Sequence, residues 1–335
     1  MTSPQIETNK TQARRVVVVG CGRRFRSVVQ PALETANAQI VAVIEPVDTA
    51  SKSIISRLGP RAPRMVASEF TRDILTATSP DAVVITSPSG YHFHHAMISL
   101  SMGVSTFLEK PIACTSSQAR QLGASANNLL AVSDQRIHRA DIQLARRLIR
   151  SGYLGEILTI HYYDAIKAAP RFRTSWRNNP QLAGGGILFD LGYHTINTIQ
   201  WLIDLNPAHL DIITVELSRK TYNVEEQAVV AARYQGTEIR LNVSFTENSP
   251  GECLKVAGTH RTLKITRSRT SGLTSSVSFS HPSGPSKLSY KLDPSYDTLV
   301  LSNFLSYSIS NQSVSRHIET VEILEQLYNA ANSPQ

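Results

Sequence analysis

The sequence is poor in cysteine and has no long apolar run. Its three cysteines, Cys21, Cys114 and Cys253, are widely spaced and form neither a CxxC pair nor metal-ligand spacing with histidine. That scarcity argues against a disulfide-stapled or cysteine-ligated scaffold and favours a reducing, cytoplasmic location. No stretch reaches the roughly 18 consecutive apolar residues that a membrane-spanning helix needs, so no membrane association is predicted.

Charged residues are also few, at 18% of the chain, but the balance is positive, with a net charge of +8. A positive excess can indicate a polyanionic partner. Because no nucleic-acid-binding motif accompanies it, DNA or RNA binding is not predicted. Arginines near a cleft would instead attract a small anionic substrate, although solvated surface charge is the simpler explanation of any one of them.

A glycine turn follows the first predicted strand. The β-branched run from Arg15 to Val19 is typical of a strand buried on both faces of a parallel sheet. It leads into Gly20-Cys21-Gly22 and a helix-compatible segment, and a second predicted strand, 39–44, ends at Glu45. Strand, glycine turn, helix, strand and acid in this order predict a dinucleotide-binding fold.

Each residue of this turn has a physical role to fill. Gly20 permits the tight turn, and Gly22 lets the backbone approach a pyrophosphate at the helix N-terminus. Glu45 is expected to bind the adenosine ribose hydroxyls and to repel a 2′-phosphate, which favours NAD over NADP. The third glycine of the usual pattern is Phe25 here, so close packing of helix and strand is in question. Taken alone, the turn is equally compatible with an ordinary strand–helix connection.

Short strands and helices continue to alternate up to residue 132, which predicts a doubly wound parallel sheet. Ligands of such sheets bind outside the carboxyl ends of the strands, where Gly20, Glu45, Ser87 and Lys110 fall. Lysine is almost never buried without a partner. Lys110, held between a strand end and Pro111, is therefore predicted to face a cleft and to touch a reacting group.

The pattern changes after residue 137. A predicted helix (139–150) and strand (156–163) precede an arginine-rich loop, and residues 211–290 contain alternating segments typical of an open, mostly antiparallel sheet. The predicted fold class is therefore α/β, with an N-terminal Rossmann domain and a C-terminal α+β domain. We predict a mobile tail at 1–14, a dinucleotide-binding domain at 15–135 and a second domain at 136–331.

A second glycine-rich segment, Gly184-Gly185-Gly186, precedes Asp190 and His194. In a helix these two residues would share a face at i and i+4, and a carboxylate beside an imidazole suits a general base. The glycines would let the backbone approach a ligand. The alternative is a loop leading into a core helix, with Asp190 as its N-cap and His194 satisfied locally.

Three histidines, His92, His94 and His95, cluster at the start of another predicted helix, 91–102. A zinc site is not predicted, because no cysteine or carboxylate partner has suitable spacing. His92 is expected to face the nicotinamide side of the cleft, and the other two are expected to be surface or packing residues.

Together these motifs resemble the Gfo/Idh/MocA oxidoreductases. The matching segments are Gly20-x-Gly22, Ser87-Pro88 with His92, Glu109-Lys110-Pro111, and the triple glycine followed by Asp190 and His194. The resemblance implies an N-terminal Rossmann domain and a C-terminal domain that binds substrate and, through its open sheet, often forms the oligomer interface. It also implies a homodimer or homotetramer. Members of the family move a hydride between a nicotinamide cofactor and a carbon, usually one that bears a hydroxyl in a sugar or polyol.

By position, the resemblance makes Lys110 the group that binds the reacting oxygen and His194 the acid/base. Asp190 would orient His194 or hold a neighbouring hydroxyl. Asn197 stands where the family often has an aspartate, which weakens one contact beyond His194. The cofactor-binding residues would be Gly20, Cys21, Gly22, Arg23, Arg24, Glu45, Ser87, Pro88, His92, Glu109 and Lys110. The candidate substrate contacts are Arg136, Arg173, Trp176 and Asn178.

The sequence thus predicts a cytoplasmic NAD(H)-dependent oxidoreductase that acts on a secondary hydroxyl, or its ketone, in a sugar, inositol or sugar-derived intermediate. One alternative is an imine (C=N) reductase of secondary metabolism on the same fold. The other is a non-catalytic dinucleotide-binding regulator, which would not need Lys110, Asp190 and His194 together.

Overall fold

The structure is a computed structural model that describes residues 13–63, 65–268, 274–280, 286–291, 296–306 and 314–332. The predicted mobile tail lies outside these ranges apart from residues 13 and 14. Arg14 is anchored, since its guanidinium donates to the carbonyl oxygens of Phe304 and Leu305 at 2.9 and 3.1 Å.

The first half of the chain forms one parallel sheet, as predicted. Its strands are β1 (Arg15–Val19), β2 (Gln39–Ile44), β3 (Met65–Ala67), β4 (Ala82–Ile85), β5 (Ser105–Leu108) and β6 (Leu130–Val132). They pair in the order β3-β2-β1-β4-β5-β6, and every pair is parallel. This order is that of a Rossmann dinucleotide-binding sheet.

Helices cover both faces of this sheet. They are α1 (Gln30–Thr35), α2 (Asp48–Leu58), α3 (Arg72–Thr78), α4 (His92–Ser101) and α5 (Ser116–Ser125). Side chains of a strand alternate between faces, and accordingly Val16 and Val18 belong to one apolar core while Val17 and Val19 belong to another. All four valines are at most 1% exposed, which explains the unbroken β-branched run.

A π-helical turn, Phe25–Val29, precedes α1 and accommodates the residue that replaces the third glycine. Phe25 is fully buried and shares a core with Val16 and Val18. The phenyl ring at the start of this π turn therefore packs in the core. Gly20 has a φ of 85°, as the tight turn requires, so this part of the turn forms despite the departure at Phe25.

The second half forms a larger sheet, of eight strands. They are β7 (Ile157–Lys167), β8 (Leu210–Ser218), β9 (Gln227–Tyr234), β10 (Thr237–Ser244), β11 (Thr246–Gly258), β12 (Thr262–Ser268), β13 (Thr274–Phe279) and β14 (Ser286–Lys291). Their order is β14-β13-β12-β11-β7-β10-β9-β8. Of these described pairs, β7–β10 is parallel and the others are antiparallel, which confirms the predicted open, mostly antiparallel sheet.

The remaining helices link the two halves. They are α6 (Ala140–Arg150), α7 (Pro180–Ala183), α8 (Tyr193–Ile203), α9 (Tyr296–Ser306) and α10 (Val314–Asn332). After the second sheet the chain returns to the first, because α9 packs on α1 and α10 packs on both α5 and α8. Within the described part of the chain, no helix has the length and apolar character to span a bilayer.

Candidate active site

A cleft of about 740 Å³ opens between the carboxyl ends of the Rossmann strands and the second half of the chain. The first half contributes Gly22, Arg23, Arg24, Ser87, His92, Glu109 and Lys110, among others. The second half contributes Arg136, Trp176, Arg177, Asp190 and His194, among others. The structure therefore brings the three predicted catalytic side chains into one cavity.

Lys110 and Asp190 form an ion pair in this cleft. Nζ of Lys110 donates to Oδ1 of Asp190 at 2.7 Å and to the main-chain oxygen of Asp190 at 2.8 Å. Burial lowers the pKa of Lys110, and the Asp190 carboxylate opposes that shift. Burial raises the pKa of Asp190, but the charges of Lys110 and Arg177 outweigh it and lower the value to about 2. The carboxylate is therefore ionised at neutral pH.

Asp190 lies inside a second π-helical turn, Leu188–Gly192, that precedes α8. Its side chain caps neither this turn nor α8, so the alternative in which Asp190 is an N-cap is wrong. A π turn opens the regular i→i+4 ladder, and the main-chain oxygen of Asp190 accepts from Lys110. His194, the second residue of α8, is half-buried and lines the same cleft.

The triple glycine lets the segment before this π turn pack closely against Tyr328 and Glu225. A Cβ at Gly185 would lie 2.2 Å from the hydroxyl of Tyr328, and one at Gly186 would lie 2.1 Å from the main-chain oxygen of Glu225. The Glu225 carboxylate accepts from the N–H groups of Gly186 and Leu188 at 2.8 and 3.2 Å and from the Tyr328 hydroxyl at 2.6 Å. The close approach expected for a ligand is therefore made by Glu225 and Tyr328.

The first glycine turn presents an open surface. Gly20 has a φ of 85°, and a Cβ there would lie 2.6 Å from the Ser87 nitrogen. A Cβ at Gly22 would meet nothing within 4 Å, which leaves space for a ligand at the start of the helix. The Glu45 carboxylate accepts from the Cys21 N–H at 2.8 Å, so it lies directly beside this turn. Space and donors here fit the diphosphate and ribose of a dinucleotide.

Two further predicted cofactor residues are fixed to one another. Nε of Arg24 donates to Oε1 of Glu109 at 2.5 Å, which ties the glycine turn to the end of β5. Of the other predicted cofactor residues, Gly20, Cys21, Glu45 and Pro88 do not line the cleft. Cys21 is buried, and burial followed by the Glu45 charge raises the pKa of its thiol.

His92 joins two loops. It is buried, with Nδ1 2.6 Å from the carbonyl oxygen of Pro111 and Nε2 2.9 Å from that of Ser87. His92 lines the cleft, but each ring nitrogen lies against a main-chain carbonyl, and the nitrogen that carries the proton donates to its carbonyl. His92 therefore positions the loops after β4 and β5. His95 lies 3.0 Å from Oγ of Ser87, and His94 is exposed. Among the described residues, no group of three or more histidine, cysteine or acidic side chains is placed to hold a metal ion.

Arg136 lies in a buried ionic cluster at the cleft wall. Its guanidinium is 2.5 Å from the Asp164 carboxylate. Neighbouring Arg139 binds Asp141 at 2.7 Å and Glu252 at 2.9 Å, and Arg139 also lines the cleft. The Asp164 carboxylate therefore fixes the guanidinium of Arg136 in the wall of the cleft. Sequence reasoning missed Arg139, and no local pattern pairs it with Glu252, which is 113 positions away.

Two of the four predicted substrate residues lie elsewhere. Asn178 is buried, donates to the Arg173 oxygen at 3.0 Å and accepts from the Asn223 N–H at 2.7 Å, so it fixes its own loop. Arg173 lies over the ring of Tyr222. Neither lines the cleft, whereas Trp176 does. Arg177 of the same arginine-rich loop, which was not among the predicted substrate residues, also lines the cleft, with Nε 3.7 Å from Oδ2 of Asp190.

Asn197 points away from the cleft. It is 2% exposed, and in the orientation that satisfies its amide, Nδ2 donates to the Asp134 carboxylate at 3.0 Å while Oδ1 accepts from Thr320 at 3.1 Å. An aspartate here would face the Asp134 carboxylate, and like charges repel. The asparagine therefore suits this neighbourhood.

Two family models match the chain. Residues 14–132 match the model described as an oxidoreductase family with an NAD-binding Rossmann fold, and residues 142–264 match the GFO/IDH/MocA C-terminal domain. The chain belongs to the GFO/IDH/MocA family. The resemblance drawn from the glycine turn, Glu109-Lys110-Pro111 and the Asp190–His194 segment is confirmed, and so is the predicted fold class.

Individual family members resemble this chain at low sequence identity. The D-glucoside 3-dehydrogenase of Escherichia coli (strain K12) is 28% identical over 196 residues, which cover 56% of this chain and 54% of that protein. The chain thus matches about half the length of that relative. A 3-ketoreductase from Actinomadura kijaniata, solved with NADP and TDP-benzene, superposes with a TM-score of 0.82 at 18% identity over 95% of this chain and 98% of that one. A levoglucosan dehydrogenase solved with NADH and levoglucosan gives 0.79 at 16% identity over 96% and 97%.

Proposed function

We propose that this family member is an NAD(H)-dependent oxidoreductase acting on a secondary hydroxyl, or its ketone, in a sugar, inositol or sugar-derived molecule. The observation that carries the proposal is the ionised Lys110–Asp190 pair, which shares one cleft with His194 beside the glycine turn. A bound nicotinamide supplies or accepts the hydride.

Lys110 is suited to hold the reacting oxygen. An ammonium has three N–H donors, and the hydrogen bonds of Nζ to described residues use two of them, both on Asp190. The third is available to the substrate oxygen, where it stabilises developing negative charge in a largely desolvated site. The lysine side chain is only 12% exposed, which strengthens this interaction.

His194 is the acid/base in this scheme. It accepts the hydroxyl proton when the alcohol is oxidised and returns it when the ketone is reduced. Asp190 orients Lys110 in this scheme and not His194 as expected, because its carboxylate accepts a hydrogen bond from Lys110. It keeps the ammonium charged and oriented.

NAD is the proposed cofactor because of Glu45. Its carboxylate lies at the end of β2 and bonds the main chain of the glycine turn, where it would repel a 2′-phosphate. The neighbours named above were solved with NADH in one case and NADP in the other. NAD and NADP affinities measured by quenching of tryptophan fluorescence test the assignment, since Trp176 lines the cleft. A clear preference for NADP would remove the role of Glu45.

The reaction is tested by an absorbance screen at the nicotinamide band. Sugars, inositols and their phosphates are offered with NAD, and the matching ketones with NADH. Turnover of a member of these classes is expected. Failure to bind either dinucleotide would contradict the proposal.

A homodimer or homotetramer in the cytoplasm is also proposed. One face of the eight-stranded sheet carries half-exposed side chains at alternate positions, such as Thr159, His161 and Tyr163 of β7. The face of an eight-stranded sheet is a suitable contact surface between copies of this chain. Light scattering after size-exclusion chromatography measures the mass directly, and a monomer would contradict the assembly.

A further inference from the structure

One carboxylate in the cleft faces three cations. Asp190 is 2.7 Å from Nζ of Lys110 and 3.7 Å from Nε of Arg177, and the charge of Arg23 also acts on it. Within the described residues, no other carboxylate forms an ion pair with Arg23 or Arg177. The next cation along, Arg24, is neutralised by Glu109. Two positive charges therefore remain in excess beside the Lys110–Asp190 pair.

The excess is concentrated at one place. Arg23 and Arg177 both line the cleft. Burial and then the charge of Arg177 lower the pKa of Arg23, and Asp190 opposes this shift. Guanidinium groups that crowd in a cleft create a positive potential that favours an anion. The planar fork of arginine matches carboxylate and phosphate oxygens with two parallel hydrogen bonds. An oxyanion is therefore the ligand that this pair of side chains suits.

Arg177 is well placed to bind such a group. Its guanidinium lies 4.4 Å from the centroid of the Trp176 ring, which restricts its orientation. Its side chain is 39% exposed, so a ligand can reach it. The residue comes from the second half of the chain and lies on the Lys110–Asp190 side of the cleft, which is where the reacting oxygen is proposed to bind.

We infer that the substrate carries an oxyanion, a carboxylate or a phosphate, that binds between Arg177 and Arg23 close to the reacting carbon. The inference rests on the proposed function, because Lys110 defines the reacting position. The diphosphate of the cofactor is the other source of the same chemistry, and Arg23 follows the glycine turn. The ion pair of Arg177 with Asp190, which is itself the partner of Lys110, favours the substrate.

The test uses inorganic pyrophosphate as the probe, titrated calorimetrically into NADH-saturated protein. Pyrophosphate is expected to bind the NADH complex of the unaltered protein. Arg177→Gln is expected to weaken this binding by about tenfold or more. Arg23→Gln is expected to weaken it too, by a smaller factor. Arg147→Gln, which removes an exposed arginine of α6, is the matched control and should bind as the unaltered protein does.

NADH affinity is measured for each variant and separates the outcomes. An Arg177→Gln variant that keeps its NADH affinity within about twofold, yet loses pyrophosphate, supports the inference and shows that its cleft is intact. Competition between pyrophosphate and NADH would assign the arginines to the cofactor diphosphate and overturn the inference while the proposed function stands. Equal pyrophosphate binding by Arg177→Gln, or none by the unaltered NADH complex, would also overturn it. If NADH itself does not bind, the proposed function fails first.

Discussion

Nζ of Lys110 reaches both the carboxylate and the main-chain oxygen of Asp190, a residue 80 positions further along the chain. The contact joins the end of a Rossmann strand to the π turn that begins α8. Burial lowers the pKa of Lys110, Asp190 is the main group that opposes this shift, and Glu109 adds to that opposition. The protonation of the lysine therefore depends chiefly on the Asp190 carboxylate.

Asp190→Asn should therefore shift the pH dependence of catalysis. Removing the carboxylate leaves burial less opposed, so the pKa of Lys110 falls further. If the ammonium must be protonated to hold the reacting oxygen, the alkaline limb of the kcat/KM profile moves to lower pH. Asp204→Asn is the control, because that carboxylate is exposed and pairs with Arg150. An unmoved alkaline limb would contradict the role given to Asp190.

His194→Ala and Lys110→Ala test the proposed chemistry directly. Each should lower kcat by ~10²–10⁴-fold, the usual loss for an acid/base group. NADH affinity should persist in His194→Ala, since the glycine turn is unaltered. His209→Ala removes an exposed histidine and serves as the comparison. If both catalytic variants stay within about threefold of the unaltered enzyme, the mechanism is wrong.

Local patterns predicted the Rossmann half well. The β-branched run at Val16–Val19 could only be buried on both faces, and the strand ends placed Gly22, Ser87 and Lys110 at one edge of a parallel sheet. These predictions succeeded because the information is contiguous in the chain, as turn chemistry and strand burial are.

The second half shows where such reasoning stops. The i, i+4 spacing of Asp190 and His194 assumed a regular helix, whereas Asp190 lies in a π turn and bonds Lys110. The tightness at Gly186 comes from Glu225, 39 positions away. Neither the change of helical period nor a partner so distant leaves a mark in the local sequence. Both depend on tertiary packing.

Phe25 offers a test of how the altered glycine motif is tolerated. Its ring is fully buried in the core shared with Val16 and Val18. Phe25→Ala should lower the free energy of unfolding by about 3–5 kcal/mol, the usual cost of removing a buried phenyl ring. Urea denaturation measures this loss, and Phe25→Leu, which leaves a smaller cavity, should lie in between.

Phe25→Gly restores the common glycine pattern at the same position. If the π turn exists to house the ring, glycine should destabilise at least as much as alanine, because it also adds backbone freedom to the unfolded chain. A variant that is as stable as the unaltered protein and binds NADH more tightly would contradict this account of Phe25.

His317 gives the fold a dependence on pH. It is buried on α10, with Nδ1 2.7 Å from the hydroxyl of Tyr193, the residue before His194. Burial lowers the pKa of His317 to about 4, with Asp134 opposing and Arg316 adding to the shift. The unfolded chain, whose histidine pKa is about 6.5, takes up the proton first. The contribution of neutral His317 to the free energy of unfolding is therefore fully present above pH 6.5. It is lost as the pH falls towards the folded pKa.

His317→Gln should remove that part of the decline. Between pH 7 and pH 4.5, the unaltered protein is expected to lose about 2–3 kcal/mol more unfolding free energy than the variant. Urea denaturation at the two pH values measures the difference. At pH 7 the variant should itself be less stable, by roughly 1–3 kcal/mol, because the Tyr193 hydroxyl loses a buried partner. Parallel pH dependence in the two proteins would show that His317 does not titrate as its burial requires.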